Sequence, residues 1–300
     1  MRTEACQAYW SIYLPSITYL FGVMAISPKD AYNVQKNALS AFLSAQGINH
    51  NMHRAVVFGP DLHGSLNLRC LYTEQGCQQI EFLLDHLCLG DRVGHQIANT
   101  LSILQLTAST CRPILNDTTT PLPHLPTGWF TSIRDFLGHI GGQIDIPNSL
   151  HLNRARVNDW LLMDMFLGDT SLSLATIQKL NHCHLYLQVT ILADICDGKG
   201  LAILADAFHG CQLSDSTSHW LWPRQKLPPI TSWKIWRTTL RRHFLQPNSR
   251  DLRLRTERHL GKWLPMIQSH HRRWHHFWQT PLTDESGWPL RLDCPSSFSP

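Results

Sequence analysis

From Ala5 to Pro28 the chain carries no charged residue. A stretch of that length raises the question of a membrane span against a buried core segment. The run YWSIYLPSITYLFGVMAI is long enough to span, since a bilayer takes about 20 apolar residues. However, Ser11, Pro15, Ser16, Thr18 and Gly22 interrupt it. Tyr9, Trp10, Tyr13 and Tyr19 are spread along its length, whereas a spanning helix gathers such rings into two interfacial belts. Arg2 is followed by Glu4 and no small-residue cleavage site follows, which does not fit a signal peptide. The segment is expected to be core, in a protein with no membrane partner.

The apolar share is 43%, enough to pack cores in 300 residues and too high for wholesale disorder. Nine cysteines are scattered without a CxxC pair, which argues against a secreted disulfide scaffold. The expected compartment is reducing, hence intracellular, nuclear or cytoplasmic.

Apolar residues recur mostly at helical spacing. Ser27 can cap, Pro28 suits a first helical position and Asp30 favours the dipole, so a helix is predicted from there to about Ala45, closed by Gly47. Ala55 to Phe58 reads as a short strand ended by Gly59-Pro60. Helices are predicted over about Leu71–Leu87 (Ile80, Leu83, Leu84 and Leu87 inward) and Val93–Leu106 (Ile97, Leu101, Leu104 and Ile103 inward). Others cover about Trp129–His139, Val157–Leu167, Ala175–Ile195 with a break near Asn181, Trp233–Phe244 capped by Thr231 or Ser232, and Met266–Trp278. Pro113, Pro121, Pro123 and Pro126 break the pattern between Thr107 and Gly128. The fold class is therefore mainly α with a few short β-strands. The expected division is a helical segment 1–107, a Pro/Thr-rich linker 108–128, a helical connector 129–223 and a basic Trp/His-rich segment 224–300.

Charge is uneven. From Arg224 onward there are 14 Lys/Arg and 5 Asp/Glu, against 12 and 17 before it. A basic end on an otherwise acidic chain suggests a phosphate-bearing partner.

The block Ala55 to Gly76, AVVFGPDLHGSLNLRCLYTEQG, carries a family resemblance. Its matching residues are Arg54, Phe58, Gly59, Pro60, Gly64, Leu71, Tyr72, Glu74, Gln75 and Gly76, with Tyr19, Gln35, Gly47, Asn49, Leu66 and Leu68 around them. In that order they resemble the region after the catalytic palm in reverse transcriptases of eukaryotic, non-LTR-like retroelements, of a type abundant in diatoms and other protists. Weaker likeness continues through Leu180 to Val189, Ala193 to Ile195, Trp222 to Arg224 and Trp233/Trp236. The glycine-rich turn of that pattern has become Gly64-Ser65-Leu66-Asn67-Leu68. If its glycines held positive φ, Asn67 can tolerate it and Ser65 less well.

The resemblance implies a helical thumb and connector that grips RNA or DNA, as an RNA–DNA hybrid or a single strand, with a separate polymerase palm as a further partner. It implies a non-catalytic remnant or C-terminal part of an RNA-directed DNA polymerase. Two-metal nucleotidyl transfer needs paired carboxylates, and no adjacent Asp-Asp occurs; Asp164 stands alone in a helical pattern. No cofactor and no resident metal are expected.

Lys234, Arg237, Arg241 and Arg242 fall at helical spacing opposite Trp233, Trp236 and Leu240. Arg253, Arg255, Arg258 and Lys262 continue the charge, and Arg272, Arg273 and Trp274 close it. Arginine forks bind phosphate and aromatic rings stack on unpaired bases, so these eleven residues are the predicted nucleic-acid contacts. His182-Cys183-His184 and the His271/His275 pair have ligand-like spacing but lack a companion Cys pair or HExxH, and Cys183 sits in an apolar run, expected to be packed. The rival reading is a helical protein–protein module anchored by tryptophans, without nucleic-acid binding.

Overall fold

Ser27 starts a helix by its own chemistry. Its Oγ accepts the Asp30 N–H at 3.1 Å and Pro28 fills the first turn. The computed structural model describes residues 2–146, 150–211, 222–247, 249 and 251–264. The architecture is mainly α; among the described residues β-pairing is limited to isolated bridges, such as Leu161 with Ile191, and no sheet forms. No helix among the described residues is long and apolar enough to cross a membrane.

The chain divides into two compact units, residues 1–97 with 126–144 and residues 98–125 with 145–300. In the first, α1 (Arg2–Ala8) runs through a π-turn (Tyr9–Tyr13) into α2 (Leu14–Thr18). The long α3 (Pro28–Ala45), short α4 (Arg54–Phe58), α5 (Leu71–Leu89), the start of α6 (Arg92–Ala108) and α7 (Trp129–Ile140) follow. Tyr9, Leu39, Phe42, Leu43, Val57 and Leu68 form one small core; Leu14, Phe21, Ala31 and Leu71 form another. The uncharged N-terminal stretch is thus half core. Tyr9, Leu14, Thr18 and Phe21 are buried, while Ile12, Tyr19, Leu20, Val23 and Met24 are exposed.

Residues 55–58 are helical, not a strand. A short apolar run fits either state, and tertiary pairing decides. Here the end of α4 gives up carbonyls to the returning chain: Leu66 N–H donates to Val56 O at 2.8 Å and Leu68 N–H to Val57 O at 3.0 Å. Gly64 (φ 74°) and Asn67 (φ 51°) are left-handed in this turn, whereas Ser65 is not.

The buried face of α5 also differs from the predicted one. Gln75, Gly76 and Gln79 join Leu71 and Leu83 inside, and Leu84 is exposed. The glutamines are held in because they hydrogen-bond irregular backbone, which a leucine cannot do. Gln35 does the same from α3: its Nε2 donates to Arg69 O at 2.6 Å and its Oε1 accepts Leu71 N–H at 3.1 Å.

The second unit holds the rest of α6, then α8 (Leu162–Gly168), α9 (Leu174–Leu187), α10 (Ala205–His209) and α11 (Ile230–His243). Its core gathers Leu162, Met163 and Phe166 from α8, Ile177, Leu180 and Cys183 from α9, and Trp233, Trp236, Leu240 and Phe244 from α11 and its end. The helix expected from Val157 starts five residues later. Asp159 is fully buried instead, accepting backbone N–H groups from Ala155 (3.0 Å), Trp160 (2.9 Å) and Ala193 (3.1 Å) in a non-helical loop. α9 does not break at Asn181. It stops at Gln188, which is left-handed at φ 59°. The segment 108–125 is irregular, as its prolines require, yet Ile114, Leu115, His124 and Leu125 are buried in it. Gln105 holds its backbone, donating to Thr110 O (2.8 Å) and Arg112 O (3.0 Å) and accepting Ile114 N–H (3.0 Å).

Candidate nucleic-acid interface

Helix α11 is amphipathic in the way its spacing dictates. Ser232, Trp233, Trp236, Thr239 and Leu240 are buried; Lys234, Thr238 and Arg241, three positions of one stripe, are exposed. Pro229, not Thr231 or Ser232, precedes the helix, and Ser232 lies inside it. The Trp236 indole is satisfied by Ala207 O at 3.1 Å. The tryptophans of this helix are therefore core, not a partner-facing surface.

The cations have two different fates. Lys234 and Arg241 stand on the exposed stripe, with Arg237 half-buried at its edge; the Arg241 guanidinium lies 5.0 Å from the Phe208 ring centroid. Arg242 is tied down: its Nη1 donates to Ser171 Oγ at 2.7 Å and lies 3.3 Å from Asp169 Oδ2. Arg255 is an internal clamp, donating from Nε to Leu245 O (2.9 Å) and from Nη2 to Arg242 O (2.8 Å). Arg258 rests on the Trp160 ring at 4.6 Å. Arg253 is exposed beside Asp251 at 3.9 Å, and Lys262 is exposed while its carbonyl receives Val157 N–H. Arg272, Arg273 and Trp274, the His271/His275 pair and the predicted helix Met266–Trp278 lie outside the described residues.

Asp169 is shared by Arg242 and His243, and Arg258 lies near enough to act on the same histidine. His243 Nε2 donates to Asp169 Oδ2 at 3.0 Å, sharing that oxygen with Arg242. Burial holds the His243 ring below the usual histidine range; Asp169 pulls it up, and Arg242 and Arg258 push it down. Asp169 is held below the ordinary carboxylate range, first by the Ser171 hydroxyl and backbone N–H, then by Arg242 and His243. One carboxylate thus faces Arg242, and Arg258 is close enough to act on the shared histidine.

Asp169, His243, Trp160 and Arg154 were not legible as members of this group. Arg154 stacks on Trp160 at 5.5 Å. It lies 70 positions before Arg224, where the basic segment starts, and no local motif marks it. Nearby Arg156 is a contrasting case: it is buried, with Nε donating to Gly261 O (2.8 Å) and its Nη atoms to Gly198 O and Lys199 O (3.3 Å each). It braces the Gly198-Lys199-Gly200 turn and offers nothing to a ligand.

The resemblance block forms no surface site. Leu71 and Gly76 are buried, and a Cβ on Gly76 would land in the Phe136 ring. Tyr72 meets Phe136 edge-on at 5.7 Å. Glu74 pairs with Arg69 at 2.8 Å, and Gln75 holds backbone. Phe58 packs against the Tyr9 cluster, and a Cβ on Gly59 would meet Ala55 O at 2.5 Å. Pro60 accepts the His63 N–H, while Arg54 opens α4. These residues build the first unit.

Of the ligand-like patterns, His182-Cys183-His184 lies within the described residues, and its Cys183 and His184 are packed. His184 is buried, its Nδ1 donating to Val189 O at 2.9 Å and its Nε2 2.7 Å from the Asn181 carboxamide. Burial pushes the Cys183 thiol up to about 12. The eight described cysteines are free, and no group of three metal-ligating side chains occurs among the described residues. No protein family, no curated protein and no solved structure matches this chain.

Proposed function

We propose that this chain grips nucleic acid through the second unit, as the thumb-and-connector part of a retroelement reverse transcriptase or a remnant of one, with polymerase chemistry supplied elsewhere. The observation that supports the reading is the cation set of residues 224–264. Eleven Lys/Arg face two Asp/Glu in that segment; Lys234 and Arg241 are exposed on one helical stripe, and Arg258 lies on the Trp160 ring. An excess of unneutralised cations on an ordered surface is the footprint of phosphate binding.

The test is binding of a labelled RNA–DNA hybrid and of single strands as salt is raised. Displaced counterions make affinity fall steeply with salt when several phosphates are engaged. The triple variant Lys234→Glu, Arg237→Glu, Arg241→Glu should weaken binding at least tenfold and flatten the salt dependence. Salt-insensitive binding, or no binding, rejects the proposal. Deleting the chain from Arg224 is not an equivalent test, because Trp233, Trp236, Leu240 and Phe244 belong to the core.

A second reading, a protein-interaction module, draws on the first unit. Ile12, Tyr19, Leu20, Val23 and Met24 are exposed there, more apolar surface than scattered single residues leave. It predicts a protein partner retained after nuclease treatment; a separate palm is the partner the resemblance suggests.

A further inference from the structure

We propose that Arg154 and Arg258 form a phosphate clamp built on the Trp160 ring. The source of the phosphate follows from the nucleic-acid reading above; the clamp itself follows from geometry. The two guanidinium carbons lie 5.5 and 4.6 Å from the centroid of the same indole. Neither guanidinium hydrogen-bonds to a carboxylate among the described residues. Two like charges gathered on one ring repel, and cation–π attraction by one ring does not neutralise both. A dianion or phosphodiester placed between or beside them removes that repulsion and fills guanidinium forks whose planar shape suits phosphate oxygens.

The backbone that carries the platform is held on both sides, which favours binding over rearrangement. The Trp160 backbone N–H donates to Asp159 Oδ1 at 2.9 Å, and its backbone carbonyl accepts the Leu192 N–H at 2.8 Å. Asp159 is fully buried and consumed by three backbone N–H groups, so it is not available to either arginine. The charged groups facing the clamp are few. Asp164 acts on Arg154, but its carboxyl also bonds the Cys111 backbone. His243 faces Arg258 and is engaged with Asp169. Glu257 precedes Arg258 in an exposed turn. Arg154 is itself exposed, so a ligand can reach it.

The experiment uses the full chain with Arg154→Gln, Arg258→Gln and the double variant, each checked for its thermal melt. Two arms separate the sources of phosphate. In the first, a labelled single strand is titrated across salt. Each lost contact should lower the slope of log affinity on log salt by about 0.7, so the double variant should lose about 1.4. In the second, melting is compared in inorganic phosphate and in chloride at equal ionic strength; phosphate should raise the wild-type midpoint and leave the double variant unmoved. If the wild type binds the strand and the double variant keeps its full slope, the clamp is rejected while the broader reading stands. If no strand binds but the phosphate shift is present and lost in the double variant, the clamp stands and the nucleic-acid reading falls. If the wild type shows neither strand binding nor a phosphate shift, both fall. Should the double variant unfold, Arg154→Gln alone decides, with a slope loss of about 0.7 expected and an unchanged slope rejecting the clamp.

Discussion

Gln75 pairs with Ile26 as a neighbouring strand would. Its Oε1 accepts the Ile26 N–H at 3.1 Å and its Nε2 donates back to Ile26 O at 3.4 Å. One turn further along α5, Gln79 donates to Met24 O, and from α7 Trp129 Nε1 donates to Gly22 O at 2.8 Å. The chain between α2 and α3 has no sheet to satisfy its backbone, so side chains of two helices do so.

Gln75→Leu should therefore destabilise the first unit. It leaves both polar groups of Ile26 without their partner, at a cost of about 1–3 kcal/mol. The urea midpoint followed by far-UV circular dichroism measures this. An unchanged midpoint would show that the pairing contributes nothing.

Gly76→Ala puts a methyl into the Phe136 ring. Overpacking of this kind costs about 1–3 kcal/mol. Adding Phe136→Leu should recover part of the loss, because the two changes share one contact. Additive losses in a double-mutant cycle of thermal melts would contradict the contact.

Acid should weaken the second unit through His184. Burial lowers its folded pKa from 6.5 to about 4, and burial also lowers that of His124. The unfolded ring takes its proton near 6.5 and the folded one only near 4. The contribution is thus complete above the unfolded value, is lost as pH falls through that window, and levels off below it. The loss for His184 alone is about 3 kcal/mol. Urea midpoints at neutral pH and near the lower end of the window test this; His184→Phe should flatten the difference, and a parallel pH profile for that variant would exclude the assignment.

Arg156→Lys should be nearly as damaging as Arg156→Met. A lysine keeps the charge but cannot reach the carbonyls of Gly198, Lys199 and Gly261 together. A loss of about 2 kcal/mol or more is expected from hydrogen bonds to a buried charge. Full stability of the lysine variant, read by calorimetry, would mean the fork geometry is dispensable.

Arg255→Gln should lower stability, since its donors serve Leu245 O and Arg242 O. Lys234→Gln with Arg241→Gln should leave stability within about 0.5 kcal/mol, as surface changes usually do. If nucleic acid binds, the second pair should still weaken it. The comparison of melting with binding separates structural cations from available ones.

The mainly helical class and the limits of α3 and α7 were legible because their signals are local: a cap, a Pro, a Gly, a 3.6-residue stripe. The inward face of α5 was not, since a buried glutamine resembles a surface one until its backbone partner is known. The helical fate of residues 55–58 depended on Leu66 and Leu68 returning to take carbonyls. In the basic segment, sequence identified the cations but not their employment. Arg255 is turned to carbonyls and Arg258 to an indole, and Arg154, about a hundred positions earlier, completes the group.

The glutamine scaffolding has a consequence for how this protein can drift. Gln75 and Gln79 recognise main-chain atoms, which every amino acid except proline supplies alike. The loop they hold can thus exchange its solvent-facing side chains freely, while the two amides that read it cannot. A lineage of such chains should diverge fastest where the trace is irregular and slowest at a few polar positions inside helices, inverting the usual rule that interiors are greasy and surfaces are choosy.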